Sequence, residues 1–406
     1  MKLRNLTLEN IGPIKKAELE FISSEQQLNN PPVIFITGEN GTGKSIILDA
    51  IRSLFMGVFS TVEREITSSN KFLIKTDLVI NGDKIKLSTN KKANSSSSFA
   101  TNDNEINQLF HSQFETRFKK NFVFDYWTSK LSNDNFNIHS ISSLDASKYL
   151  DDSLSGVHKN MDLTKIISFF DYLKDSSDER EKRLGNELYS ILEEIINLSI
   201  SNGKLSHVSR INLKPIIKIG ETEISLDKLS SGNLYLIQRF TSLLSQVYSI
   251  CALNNHSMSN YKSIEGILLI DEAENHLHPK WQKVFIQNIL KLFPNLQIFV
   301  STHSPFIVSS VKNSRVFVCK SEIEFSIVDE ETDFYINKPI EEILLSPLFS
   351  TSNFGTKVSD LIEDRKIAIK NSDNKRVKEV EEELLEINPE YFDYLNLDVL
   401  LKSMKK

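Results

Sequence analysis

Apolar and polar positions alternate from Lys2 to Phe21, with Leu3, Leu6, Leu8, Ile14, Ala17, Leu19 and Phe21 on the apolar phase and Gly12-Pro13 between them. A period of two puts one face on a core and the other in water, so this stretch predicts two antiparallel strands. After the polar stretch Ser23 to Asn30, the run Val33-Ile34-Phe35-Ile36-Thr37 is apolar on both phases, as a central strand covered on both sides requires. A glycine loop follows, and beyond it Ile46, Ile47, Ala50, Ile51 and Leu54 recur at helical spacing. Alternation returns from Phe72 to Leu87 around Asn81-Gly82-Asp83, a turn sequence that predicts a hairpin.

Lys91 to Asn104, rich in Ser, Asn and Lys, reads as a mobile surface loop. Between Glu105 and Ser201 the period is mostly helical, notably at Leu163 to Leu173 and Asp178 to Leu198, which predicts a helical lobe interrupting the sheet. Sheet signals resume at Arg210 to Leu226, and a helix follows from Leu234 to Tyr248. Two short apolar runs, Gly266 to Ile270 and Leu296 to Ser301, flank a helix that opens near Pro279 and ends near Phe293-Pro294. Strand, helix, strand predicts a parallel crossover. A hairpin of Arg315 to Lys320 and Glu324 to Val328 is expected to close the sheet, and Lys338 to Lys406 reads as helices with charged faces and an apolar stripe at Val377, Val380, Leu384, Leu385 and Ile387.

Composition narrows the class. With 406 residues and 40% hydrophobic content, the chain has ample material for a core, and a net charge of −6 creates no global basic field for nonspecific nucleic-acid binding. Its two cysteines, Cys251 and Cys319, lie far apart without metal-ligand spacing, which argues against disulfide or zinc scaffolding and fits a reducing cytosol. No long apolar leader or membrane-length run is present, so a soluble cytoplasmic protein is expected.

Gly38-Glu39-Asn40-Gly41-Thr42-Gly43-Lys44-Ser45 matches the phosphate-loop pattern between a buried strand and an amphipathic helix. Such glycines let successive N–H groups point inward around phosphate oxygens, the lysine bridges phosphates, and the serine hydroxyl is placed to ligate Mg²⁺. The run Gly266-Ile267-Leu268-Leu269-Ile270-Asp271-Glu272 delivers two carboxylates to a strand's C-terminal edge. There Asp271 is expected to hold Mg²⁺, and Glu272 to orient and deprotonate the attacking water. Leu296 to Ser301 continues into Thr302-His303-Ser304, putting His303 one crossover on, where an imidazole reaches a γ-phosphate. Leu229-Ser230-Ser231-Gly232-Asn233 stands directly before a helix, where it reads alone as a cap and turn.

In this order, with a helical insertion after the first, these motifs resemble the ABC ATPase heads of the SMC and recombination-repair families over nearly all of residues 1 to 330. The resemblance implies an α/β ABC-type P-loop head with a mixed sheet, a helical insertion lobe and a small helical C-terminal tail. Four segments follow: 1–104, the first part of the head with the phosphate loop; 105–209, the mainly helical lobe; 210–337, the rest of the head; and 338–406, a tail for assembly or docking. It implies ATP and Mg²⁺ as ligands and a second copy as partner, with Ser230, Ser231 and Gly232 capping the nucleotide held by the other copy. Ser231 stands where the family often has glycine. The glutamine of the Q-loop is open between Gln108 and Gln113.

Asp271-Glu272-Ala273-Glu274-Asn275-His276-Leu277-His278-Pro279 is similar to the overcoming-lysogenization-defect branch, in which the stretch after the acids faces the dimer. A packing or interface role, rather than metal ligation, therefore suits His276 and His278. With about 70 residues after the last hairpin, mostly helical, the tail is not expected to hold the nuclease domain of that branch. Its architecture instead resembles the ATPase subunits of Septu and retron-linked Septu antiphage systems, which implies a separate nuclease effector, of the HNH class in those systems. Competing readings are a DNA-binding repair ATPase, disfavoured by the lack of sustained heptads, a transporter nucleotide subunit, and a scaffold that binds ATP and seldom hydrolyses it. Nucleic acid stays open as a further ligand.

Overall fold

The computed structural model describes residues 1–406 apart from 57–64, 93–98, 110–120, 129–135, 147–149, 151–162, 337, 345, 347–355, 372 and 393–406. The chain divides into two units, Met1–Lys338 and Pro339–Lys406.

In the first unit the opening alternation forms β1 (Lys2–Leu3), β2 (Asn5–Ile11) and β3 (Ile14–Glu20). β2 and β3 are antiparallel, with Leu6 opposite Leu19 and Leu8 opposite Ala17, so their buried side chains share one face. β4 (Val33–Gly38) is buried at every position, and α1 (Lys44–Met56) follows the glycine loop. β5 (Leu73–Ile80) and β6 (Asp83–Thr89) form the hairpin whose turn residues, Asn81 and Gly82, take φ of 50° and 90°. These positive values suit the hairpin's tight turn.

α2 (Asn104–Gln108) precedes β7 (Phe122–Trp127), and then come α3 (Leu163–Lys174) and α4 (Glu179–Ser199). β8 (Gly203–Val208), β9 (Pro215–Ile219) and β10 (Thr222–Ser225) form a separate three-stranded sheet. α5 (Ser231–Asn254) leads to β11 (Glu265–Ile270), α6 (Pro279–Leu292), β12 (Leu296–Ser301), β13 (Ser314–Ser321) and β14 (Ser326–Glu330).

The main sheet has eleven described strands in the order β1-β5-β2-β3-β14-β13-β4-β12-β11-β7, with β6 paired to β5. β13, β4, β12, β11 and β7 are parallel, while β1, β2, β3, β5 and β6 form an antiparallel wing. The sheet is therefore mixed, and the β11-α6-β12 crossover is parallel as expected. Two placements differ from the sequence reading. The β13–β14 hairpin sits inside the sheet, with β14 meeting β3 at Ser326 and Ile14, rather than closing an edge. β7, inside the segment read as mainly helical, is a strand of the main sheet.

α1 packs against β2, β4, β6 and β12, and its Ile47, Leu48, Ile51, Leu54 and Phe55 belong to one core with Leu6, Leu8, Leu78 and Phe299. Phe21 meets Phe299 edge-on at 4.9 Å and Phe317 at 5.9 Å, so wing and parallel layer close on the same interior. The sheet thus curls around α1. Elsewhere Phe285 of α6 lies 6.2 Å from the ring of Phe240 on α5 and 6.1 Å from that of Trp127 on β7. Among the described residues no helix is long and apolar enough to cross a membrane.

In the second unit, α7 (Thr356–Lys370) and α8 (Asn374–Ile387) pair through Leu361, Val380 and Leu384, with Phe392 in the same cluster. Arg376 reaches Asp364 at 2.6 Å and Arg365 reaches Glu381 at 2.6 Å across the pair.

One close approach gives the first prediction. A Cβ on Gly266 would stand 2.2 Å from the carbonyl oxygen of Val123, where β11 and β7 run side by side. Gly266→Val should destabilise the head by about 1–3 kcal/mol through overpacking, seen as a lower urea midpoint. An unchanged midpoint would show that the two strands do not meet there.

Candidate nucleotide site

β4 ends at Gly38, where a Cβ would lie 2.2 Å from the carbonyl oxygen of Cys319 on β13 and φ is 145°. A side chain here would need both an unusual backbone conformation and a separation of two central strands. Gly41 and Gly43 also take positive φ, 79° and 101°, the backbone conformation that turns N–H groups into an anion nest. Thr42 Oγ1 donates to the Glu39 carbonyl at 2.8 Å and tightens the loop. Lys44 is 7% exposed, and its Nζ donates to the carbonyl oxygens of Gly38 at 3.1 Å and Glu39 at 2.7 Å. Burial pushes the Lys44 ammonium down in pKa, and nearby Glu274, Asp271 and Glu272 oppose that push.

The acidic pair stands where β11 ends. Asp271 is buried, and its Oδ1 accepts from Ser45 Oγ at 2.7 Å and from Ser301 Oγ at 2.5 Å. Its backbone N–H donates to the Trp127 carbonyl of β7 at 2.8 Å. Ser301 Oγ also accepts from the Glu272 N–H at 2.8 Å, so one hydroxyl registers both acids. Glu272 has φ of 51°, a left-handed conformation that non-glycine residues seldom take. Glu274 Oε2 accepts from Thr302 Oγ1 at 2.6 Å and its Oε1 from the His303 N–H at 2.8 Å. The turn carrying His303 is thereby tied to the loop after β11. Burial, and secondly the charge of Lys44, lower the His303 pKa and favour its neutral form.

The structure therefore gathers the loop Gly38 to Ser45 with Asp271, Glu272 and His303, and leaves Ser230, Ser231 and Gly232 apart. Among the described residues those three make no hydrogen bond to the phosphate loop. Ser230 and Ser231 are exposed, and Ser230 caps α5 by accepting from the Asn233 N–H. A Cβ on Gly232 would lie 2.8 Å from the His276 carbonyl oxygen, and the Tyr235 and His276 rings are 5.7 Å apart. His278 caps α6, its Nδ1 accepting from the Lys280 N–H at 3.3 Å. Gln108 ends α2, half-buried, and Gln113 lies outside the described residues.

Ser301, Glu274 and Asn275 were not singled out by sequence reasoning, although each lies within a run read as functional. Ser301 and Glu274 are defined by pairing between two segments distant in sequence, which spacing does not encode, and Asn275 by a turn that opens at the left-handed Glu272. Mg²⁺ takes hard oxygen ligands and keeps few from protein. The hydroxyl of Ser45 and carboxylate of Asp271, convergent beside a glycine nest and a lysine, fit a magnesium polyphosphate.

Glu274→Ala would leave the Thr302 hydroxyl and His303 N–H without their acceptor. We expect a loss of about 1–3 kcal/mol, measured by urea denaturation; a Glu274→Gln variant should lose less. Equal stability of Glu274→Ala and the wild type would mean that this turn does not depend on the carboxylate.

Comparison with known proteins agrees with this geometry. A family model described as "AAA domain, putative AbiEii toxin, Type IV TA system" matches residues 33–309. The chain is 30% identical over 241 residues to the "Retron Vc95 probable ATPase" of Vibrio cholerae serotype O1 biovar El Tor, covering 53% of this chain and 41% of that protein. It is 25% identical over 345 residues to the "Septu protein PtuA" of Bacillus thuringiensis, covering 83% and 78%. The chain thus spans less than half the length of the first relative and most of the second. Among solved structures, an SMC head crystallised with the C-terminal winged-helix domain of ScpA shares the fold at a TM-score of 0.50 and 15% identity, covering 82% of this chain and 98% of that one. The phosphate loop, the strand-end acids and the curled mixed sheet give the fold of an ABC-type P-loop ATPase head, and the chain belongs to this AAA-domain family.

Proposed function

We propose that this chain binds and hydrolyses magnesium-ATP as the regulatory subunit of a cytoplasmic antiphage complex, pairs head-to-tail with a second copy, and controls a separate nuclease. The observation that carries the reading is the meeting of Ser45 and Ser301 on one oxygen of Asp271, beside a glycine nest and a buried lysine. Gly38, Glu39, Asn40, Gly41, Thr42 and Gly43 present backbone N–H groups to the phosphates, and Lys44 leaves its loop carbonyls to bridge them. Ser45 and Asp271 hold magnesium, which when bound neutralises charge on the phosphate oxygens. Glu272 orients the attacking water and takes its proton. The neutral His303 hydrogen-bonds the terminal phosphate.

Ser230, Ser231 and Gly232 act on the other copy's nucleotide. The exposure of Ser230 and Ser231 at the N-terminus of a 24-residue helix supports this, because the positive end of the helix dipole lies there. Defence and nuclease control rest on the kinship with the retron ATPase and the Septu protein. The second unit, with charged helices and no phosphate-binding loop, serves assembly and docking.

Lys44→Ala should abolish ATP binding in calorimetry while leaving thermal stability nearly unchanged, and Glu272→Gln should bind ATP, lose hydrolysis, and sediment with ATP as a more persistent dimer or dimer multiple. Undiminished ATP affinity of the first variant would overturn the loop assignment, and hydrolysis by the second at the wild-type rate would remove Glu272 as the base.

Ending the chain after Lys338 should preserve ATP binding while losing higher-order assembly or co-purification with a nuclease encoded alongside. Retained co-purification would place the docking surface on the head.

A further inference from the structure

Among the described residues Asn275 makes one side-chain hydrogen bond, and it is to the proposed base. Its Nδ2 donates to Glu272 Oε2 at 2.8 Å, and its backbone N–H donates to the Glu272 carbonyl at 3.0 Å, closing a four-residue turn. The turn begins at the left-handed Glu272, whose conformation directs the chain back so that the side chain three residues on faces its carboxylate. Strain of this kind persists only where surrounding contacts hold it.

Those contacts are present on every side of the turn. The Ala273 N–H donates to the Ser301 carbonyl at 3.1 Å, and Glu274 is held by Thr302 and His303. Gln282 Nε2 donates to the Leu277 carbonyl at 2.8 Å, and the His276 carbonyl abuts Gly232. Asn275 is thus carried on a braced loop and grips one oxygen of a carboxylate whose other oxygen has no hydrogen-bond partner among the described residues.

We propose that Asn275 is the positioning residue for Glu272: it fixes Oε2 and so aims Oε1 at the attacking water. This rests on the reading of Glu272 as base. An asparagine suits the task because its amide donates without adding a charge beside the acid, whereas an aspartate there would repel it.

The test uses the full-length protein with its complex partners. Asn275→Ala should lower kcat by about ten- to a hundredfold, the scale of a misplaced reacting group, with KM for ATP nearly unchanged. Asn275→Asp should fall further, and Asn275→Gln, which keeps the donor, should recover part of the loss. In a Glu272→Gln background, single-turnover hydrolysis should not fall again when Asn275→Ala is added. In nucleotide-free protein labelled at asparagine, the side-chain amide signal that vanishes in Asn275→Ala should shift in Glu272→Ala. Wild-type kcat in Asn275→Ala, an equal loss in the Glu272→Gln background, or an unmoved amide signal would each overturn the proposal while leaving Glu272 as base. Wild-type hydrolysis by Glu272→Gln would remove the base itself, and the role of Asn275 with it.

Discussion

One oxygen of Asp271 receives two hydroxyl donors, from the first turn of α1 and from the end of β12. A buried carboxylate needs such donors, since burial without them is costly. The Asp271 N–H is spoken for by β7, so a single residue locates the ends of four elements relative to one another. Everything else at the site is measured from that point: Glu272 through the same Ser301 hydroxyl, and His303 through the strand on which Ser301 sits. The parallel order β4-β12-β11-β7 brings these strand ends to one edge, the place where open α/β sheets bind their ligands.

The antiparallel wing braces that edge from the other side. A Cβ on Gly43 would lie 3.1 Å from Pro13, so the turn between β2 and β3 rests on the phosphate loop. Pro13 in turn accepts from the Ser326 N–H at 2.7 Å, which links the wing to β14 and, through β13, to the strand beside the loop. The curl of the sheet is therefore more than a way to bury α1. It sets a second wall against the glycine loop, whose conformation has few side-chain contacts of its own to define it.

What was legible along the chain was what is local. The phosphate loop, the strand-end acids and the β11-α6-β12 crossover each depend on neighbours in sequence, and pattern reading recovers such features. β7 was not legible: Asp125 interrupts its apolar run, and only the fold shows the carboxylate satisfied by the Tyr126 N–H at 2.9 Å and Trp127 Nε1 at 2.8 Å. Its membership of the main sheet depends on pairing with β11, well over a hundred residues away. The same limit explains the β13–β14 hairpin, whose local pairing was readable but whose place between β4 and β3 was not. Glu274 belongs with these, because its partners Thr302 and His303 come from another loop.

The separation of Ser230 to Gly232 from the phosphate loop has a physical consequence under the proposed pairing. Those residues sit on a helix whose first turn touches the His276 carbonyl and whose Tyr235 packs beside the His276 ring. His276 is itself left-handed, with φ of 64°, and lies one residue beyond Asn275. There is no room for a side chain at Gly232, so the helix start and the backbone of this loop run in close approach. Under that pairing the surface at Ser230 and Ser231 and the turn that holds Glu272 are packed neighbours. Contact at the first is expected to alter the second without any large movement, since a close-packed junction transmits small shifts that a looser one would absorb.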